Sequence, residues 1–183
     1  MSKPWYRKLF SPAASGVEST QSRADAGHAD AQFHLGLRYA AGHGEAQDNA
    51  QAARWYLKAA DQSHPLAQFN LGMMYAQGQG VVRNDETAFG WFERAAQQGD
   101  AGAQFNLGMR HHRASGVEGL PAAMLESKVE AYKWFFLAAA QGYRGSGSAC
   151  ERVTLSMSHE ELADGNRRAA AFVVLKPASI RVE

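Results

Sequence analysis

Cysteine is nearly absent: Cys150 is the only one in 183 residues. A single thiol allows no intramolecular disulfide and no cysteine-built zinc cage, and a reducing compartment is its natural setting. Proline is scarce as well, with five copies. Abundant alanine then favours helix over sheet, because alanine loses least on entering a helix. An excess of either charge is also missing. The formal net charge of +1 makes no electrostatic case for nucleic acid or an anionic membrane as partner. No apolar run approaches the roughly 18 residues that a membrane helix needs. The best one, Trp134 to Ala140, is less than half that length. The first ten residues carry charge without an apolar stretch behind them, so no export signal is expected. A cytoplasmic protein is the default expectation.

What the chain does have is repetition. Ala31-Gln-Phe-His-Leu-Gly36 returns as Ala67-Gln-Phe-Asn-Leu-Gly72 and as Ala103-Gln-Phe-Asn-Leu-Gly108, which sets Phe33, Phe69 and Phe105 36 residues apart. Trp55-Tyr56, Trp91-Phe92 and Trp134-Phe135 follow at intervals of 36 and then 43, so the third unit carries a 7-residue insertion. It is placed at about residues 115–127. The alanine pairs 59–60, 95–96 and 138–139 complete the unit.

Each unit reads as two helices. In the first copy these are residues 30–41, with Leu35 and Tyr39 at i, i+4, and residues 49–61, with Ala52, Trp55, Tyr56 and Ala59 on one stripe. Gly42-His-Gly44 and Gly78-Gln-Gly80 mark the ends of first helices. Asp48, and Asn84 or Asp85, stand where N-caps belong. Gly36, Gly72 and Gly108 fall inside the first helices, where glycine costs about 1 kcal/mol relative to alanine. A penalty repeated in every copy predicts a close helix crossing, with the paired alanines opposite. A lone hairpin cannot shelter its aromatic stripe, whereas stacked hairpins can.

The expected fold is therefore all-α, a short right-handed α/α superhelical solenoid of helix-turn-helix repeats. Residues 1–16 form an N-terminal extension and 17–28 a capping helix. Repeats occupy 29–64, 65–100 and 101–143. Residues 144–174 form a degenerate repeat, with Cys150 and Val153 inward and a capping box at Ser158-His-Glu-Glu161. A tail spans 175–183.

The pattern Ala-Gln-Phe-x-Leu-Gly-x-x-Tyr, followed by Trp-(Tyr/Phe)-x-(Lys/Arg)-Ala-Ala and Gln-Gly, resembles the Sel1-like repeat over residues 29–143. That family is related to tetratricopeptide repeats and has slightly longer units. The resemblance implies a non-catalytic scaffold or adaptor that binds a protein or peptide. Cysteine-rich secreted members have been linked to β-lactam binding. The three clear repeats here hold no cysteine, so β-lactam-binding or hydrolase activity is the disfavoured alternative. A homodimer or larger homo-oligomer, with the chain's own termini in the groove, is a third reading.

No residues suggest a reaction centre, and no catalytic, cofactor or metal residues are assigned. His111 and His112 are adjacent, so on a helix they point about 100° apart, which does not suit a shared metal. His111 falls in register with Tyr39 and Tyr75, a half-core position. The Gly-x-Gly pairs follow helices, not strands, and read as turns. Asp85-Glu86 and Glu160-Glu161 lie where helices begin and favour negative charge. Glu126, Lys128 and Glu130 read as a solvated face. No nucleophile elbow appears, and Cys150 reads as a small buried apolar side chain.

The likeness to tetratricopeptide units places first helices on the concave side. The groove would then be lined by Asp30, Phe33 and Leu37 in repeat one and by Phe69, Met73 and Gln77 in repeat two. Repeat three would add Phe105, Met109, His112 and Arg113, a basic far end. The phenylalanine column either faces the groove or fills the core between repeats. Leu37, Met73 and Met109 form the next column, where methionine adapts to varied partners. Asn70 and Asn106 either bind a guest backbone or tie neighbouring turns together. The insertion, read as a long loop, is the other place where function could lie.

Overall fold

The computed structural model describes residues 19–42, 47–116 and 121–172, with the backbone alone for 121–125. Every regular element among them is a helix: α1 (Thr20–Asp25), α2 (Ala29–Ala41), α3 (Asn49–Asp61), α4 (Pro65–Gln77), α5 (Asp85–Gln97), α6 (Ala101–Ser115), α7 (Pro121–Ala140), α8 (Ser146–Thr154) and α9 (His159–Ala170). From α1 to α8, helices adjacent in sequence pack together, and α9 turns back onto α7. The N-terminal extension, Gly44 and the tail expected from the sequence lie outside the described residues.

Local chemistry sets the helix ends. Helices α2 and α4 stop at Gly42 and Gly78, each left-handed at φ 69°, a conformation that side chains with a β-carbon adopt at a cost. Asp48 opens α3 by accepting from the Gln51 N–H at 2.9 Å, and Asn84 opens α5 by accepting from the Thr87 N–H at 2.8 Å. Asn84 is thus the cap, and Asp85 is the first residue of the helix.

The close crossing at the internal glycines is present, but its partner differs from the alanine pairs expected. A β-carbon on Gly36 would lie 2.6 Å from the Tyr56 ring; on Gly72, 2.7 Å from Phe92; on Gly108, 2.6 Å from Phe135. Glycine there makes room for the second aromatic of the Trp-(Tyr/Phe) pair. The alanine pairs face the following repeat instead, where Ala59 and Ala60 are buried with Ala67 and Leu71, and Ala95 and Ala96 with Ala103 and Leu107.

The sequence pattern assigns no role to the glutamine of each Ala-Gln-Phe triplet. Gln32, Gln68 and Gln104 are buried. Their side-chain amides donate to the Ala24, Ala60 and Ala96 carbonyls at 3.1, 3.1 and 3.3 Å. Their oxygens accept from Gln62, Gln98 and Gln141 at 2.7, 2.7 and 2.9 Å. Each glutamine therefore clips the preceding helix to its own repeat, and a buried group left unpaired here would cost about 1–3 kcal/mol.

The third repeat departs from the first two. Helix α6 has 15 residues against 13 in α2 and α4, and α7 has 20 against 13 in α3 and α5. The insertion is therefore not the long loop expected, because most of it extends α7 at its start. Ala114 stands in register with Gly42 and Gly78, so nothing there favours a left-handed stop and α6 runs on.

The solvated face expected at Glu126, Lys128 and Glu130 is also corrected, since it carries α9. Arg168 pairs with Glu126 and, at 2.9 Å, with Glu130; Lys128 pairs with Glu161 at 3.1 Å. Burial opposes the charge on Glu130, yet Lys133 and Arg168 hold its carboxyl below the usual carboxylate range. The Tyr132 hydroxyl donates to Asn166 at 2.8 Å. In α8, Val153 is buried and Cys150 half-buried, and Ser158 and Glu161 form the capping box of α9.

Candidate functional site

The residues expected to line a groove fall into different environments. Phe33 is buried, stacked on His64 at 4.6 Å and packed on Tyr56 at 5.9 Å. Phe69 is half-buried against Phe92 at 5.9 Å, and Phe105 lies between Phe135 at 5.5 Å and Tyr143 at 5.3 Å. Each ring packs on the aromatic of its own second helix. Asp30 is exposed and reaches His64 Nε2 at 3.3 Å. Leu37 and Gln77 are exposed, and Asn70 is half-buried. Met73 packs against the core around Phe92 and Trp134. His112 is half-buried, edge-on to Phe135 at 6.4 Å.

Three of the expected residues do converge. Asn106, Met109 and Arg113 share one face of α6, at the spacing i, i+3, i+7. They line a cleft of about 530 Å³ walled by α5 and the end of α4. The other lining residues were not read as such from the sequence, among them Arg83, Asp85, Glu86, Phe89 and Arg110. The Arg110 guanidinium lies 3.7 Å over the Phe89 ring, and its Nη2 is 3.1 Å from both Glu86 carboxylate oxygens. Arg83 forks onto Asp85 at 3.0 and 2.9 Å, and these hydrogen bonds hold the Asp85 carboxyl below its ordinary range. Arg113 is exposed and, among the described residues, makes no ion pair.

Comparing the repeats in register could have found the missed residues. Glu86, Phe89 and Arg110 stand 36 residues after Ala50, Ala53 and Met74. At that earlier boundary Ala53 and Met74 are buried in one core, and the hollow there is about 230 Å³. The cover differs too. Gly80, at φ 69°, lies so close over the start of α3 that a β-carbon on it would sit 2.3 Å from the Asn49 carbonyl. Gly116, in the same register one repeat later, would meet only the Arg113 carbonyl, at 3.6 Å. Where α6 runs on, no glycine among the described residues covers the start of α5.

Chemically the cleft offers apolar surface, amide groups and guanidiniums. Both of its carboxylates are held by arginine. Beside it His111 is half-buried, its ring 6.3 Å from Phe89, and burial pushes its pKa down. Among the described residues no group of three or more His, Cys, Asp or Glu side chains could hold a metal ion.

The Sel1 repeat model matches residues 29–64, 65–100 and 101–143. The chain belongs to the Sel1 repeat family. Among solved structures it is similar to a Sel1 repeat protein from Oxalobacter formigenes, with 37% identity and a TM-score of 0.60 over 73% of this chain and 95% of that one. It is also similar to a protective antigen of uropathogenic Escherichia coli with an SLR fold, with 28% identity and a TM-score of 0.68 over 84% of this chain. The chain spans 31% of that antigen's length. No curated protein matches it. Sel1 repeat proteins generally mediate protein–protein interactions and are generally non-catalytic scaffolds. None of the described helices of this Sel1 repeat protein is long and apolar enough to cross a membrane.

Proposed function

We propose that this protein is a non-catalytic interaction module that holds a peptide segment of a partner protein in the cleft between its second and third repeats. The observation that carries this reading is the contrast between boundaries. The glutamine clips, alanine pairs and internal glycines are the same at both, while in register Gln47, Asn49, Ala50, Met74 and Gln77 give way to Arg83, Asp85, Glu86, Arg110 and Arg113, against Arg54 as the one charged residue lining the first hollow. Residues that change on a constant frame are free of the packing duty the others share. The opening has the size of a small-ligand site, which is typically about 300–1,000 Å³, enough for a few residues of an extended chain. Met109 and Phe89 supply apolar contact. Asn106 donates to the Gly102 carbonyl at 2.8 Å, and its side-chain oxygen has capacity to accept from a guest N–H. A single cysteine suits a reducing compartment, and the adaptor role is read as cytoplasmic.

Met73 and Met109 pack against core clusters, so charged substitutions there would report on folding as much as on binding. Glu86, with 80% of its side chain exposed, is the better probe. The photo-crosslinking residue p-benzoylphenylalanine at position 86, irradiated in native lysate, is expected to give discrete protein adducts. The same residue in place of Leu57, exposed on α3, is expected to give none of them. Identical adducts from both positions, or adducts from Leu57 alone, would place the interaction elsewhere.

A further inference from the structure

Resting on that cleft, we infer that its occupant is an acidic peptide, one that presents a carboxylate side chain next to a large apolar one. The second boundary brings in five ionisable residues where the first has none in register: Arg83, Asp85, Glu86, Arg110 and Arg113 replace Gln47, Asn49, Ala50, Met74 and Gln77. Three guanidiniums therefore meet two carboxylates, a surplus of one positive charge. The two carboxylates are already taken, Asp85 by the Arg83 fork and Glu86 by Arg110. A basic guest would compete with arginine for carboxylates whose charge is already offset, whereas an acidic guest would meet the surplus guanidinium charge.

The cations keep capacity to spare. Among the described residues both side-chain hydrogen bonds of Arg110 come from Nη2, which leaves its Nε and Nη1 hydrogens for a second acceptor. Its plane is fixed by stacking on Phe89, which pre-orients that fork for a carboxylate. Arg113 is exposed one turn further along the same helix face and adds a second guanidinium. Between them Met109, Phe89 and Ala76 form apolar wall, where a neighbouring aliphatic or aromatic side chain would be sheltered. Charge sets which peptide enters, and apolar contact holds it.

The test is selection from random dodecapeptides displayed on phage, panned against the full chain. Enriched peptides are expected to combine Asp or Glu with Leu, Ile, Phe or Met. Synthesised, they should bind Arg113→Glu about tenfold more weakly than wild type, and Glu-to-Lys versions of the peptides should recover affinity for that variant. Binding should also weaken as salt rises. Enriched peptides without carboxylates, or acidic ones that bind Arg113→Glu as well as wild type, would overturn the inference. If such peptides still compete with crosslinking from position 86, the cleft reading stands and its charge selectivity alone falls. If nothing is enriched and position 86 gives no specific adduct, both fall.

Discussion

The boundary between repeats one and two and the boundary between repeats two and three share a frame and differ in their lining. At both, a buried glutamine bonds a carbonyl of the preceding helix and a glutamine after its own second helix. Within each of the three repeats they join, a glycine of the first helix admits an aromatic ring of the second. Among the described residues, a left-handed glycine turn closes over the neighbouring helix start at the first boundary and not at the second, and the opening is lined by five ionisable residues at the second against Arg54 alone at the first. Stability in such a stack is roughly a sum of unit and interface terms. A position outside the shared contacts can therefore change at one boundary without cost to the other.

The sharpest way to separate the two boundaries is at the paired glycines. Gly80→Ala would place a β-carbon against backbone at a positive φ, which neither side can relieve, and is expected to cost about 2–3 kcal/mol. Gly116→Ala should stay within about 0.5 kcal/mol. Thermal unfolding of both variants reads the difference; equal effects would mean the cover at the first boundary is not what distinguishes it.

The shared frame can be broken symmetrically. Gln68→Leu and Gln104→Leu each leave the Gln98 or Gln141 amide without its partner and take one hydrogen bond from a carbonyl that keeps its backbone one, and each is expected to cost about 1–2 kcal/mol. Denaturant titration should find the two losses alike. A large loss at one and none at the other would deny a common frame.

Converting the second lining into the first is gentler. Phe89→Ala with Arg110→Met removes a stacking and ion pair worth at most about 1 kcal/mol together, and with them part of the packing of a half-buried ring, about 1 kcal/mol more, so the fold should persist. Crosslinking from position 86 should disappear. Persistent crosslinking in a folded double variant would detach binding from these residues.

The smallest expected effect compares the caps that open repeats two and three. His64 Nδ1 accepts from the Ala67 N–H at 3.2 Å, where Asp100 accepts from Ala103 at 2.7 Å. Burial pushes the His64 pKa below its ordinary value, with Asp30 working against that and His34 adding to it. The unfolded chain thus takes up this proton near the ordinary histidine value of about 6.5, and the folded chain only at lower pH. Stability is then full above that value and falls as pH drops below it. The midpoint should fall by about 1–2 °C, the scale of a weakened cap. His64→Asp should remove that component, and an unchanged pH profile would clear His64 of it.

Reading the sequence reached unevenly into this architecture. The spans of α2 and α3, the cap at Asp48, the cap at Asn84 to within one residue and the box at Ser158 were legible, because each depends on residues within one turn of one another. The glutamine clips were visible as letters in every copy but carried no meaning, since their partners lie 8 and about 30 residues away. Of the cleft, Asn106, Met109 and Arg113 were read from one helix face, while Arg83 and Glu86 lie on a loop and a helix that reach it only through stacking.

The 36-residue period alone determined that the chain is a helical stack, because a repeated amphipathic pair can hide its aromatics only against its own copies. Tertiary structure decided which rings the glycines admit, that the insertion lengthens helices, and that three arginines meet at one opening. Those outcomes depend on distances between separate helices, which no local spacing encodes.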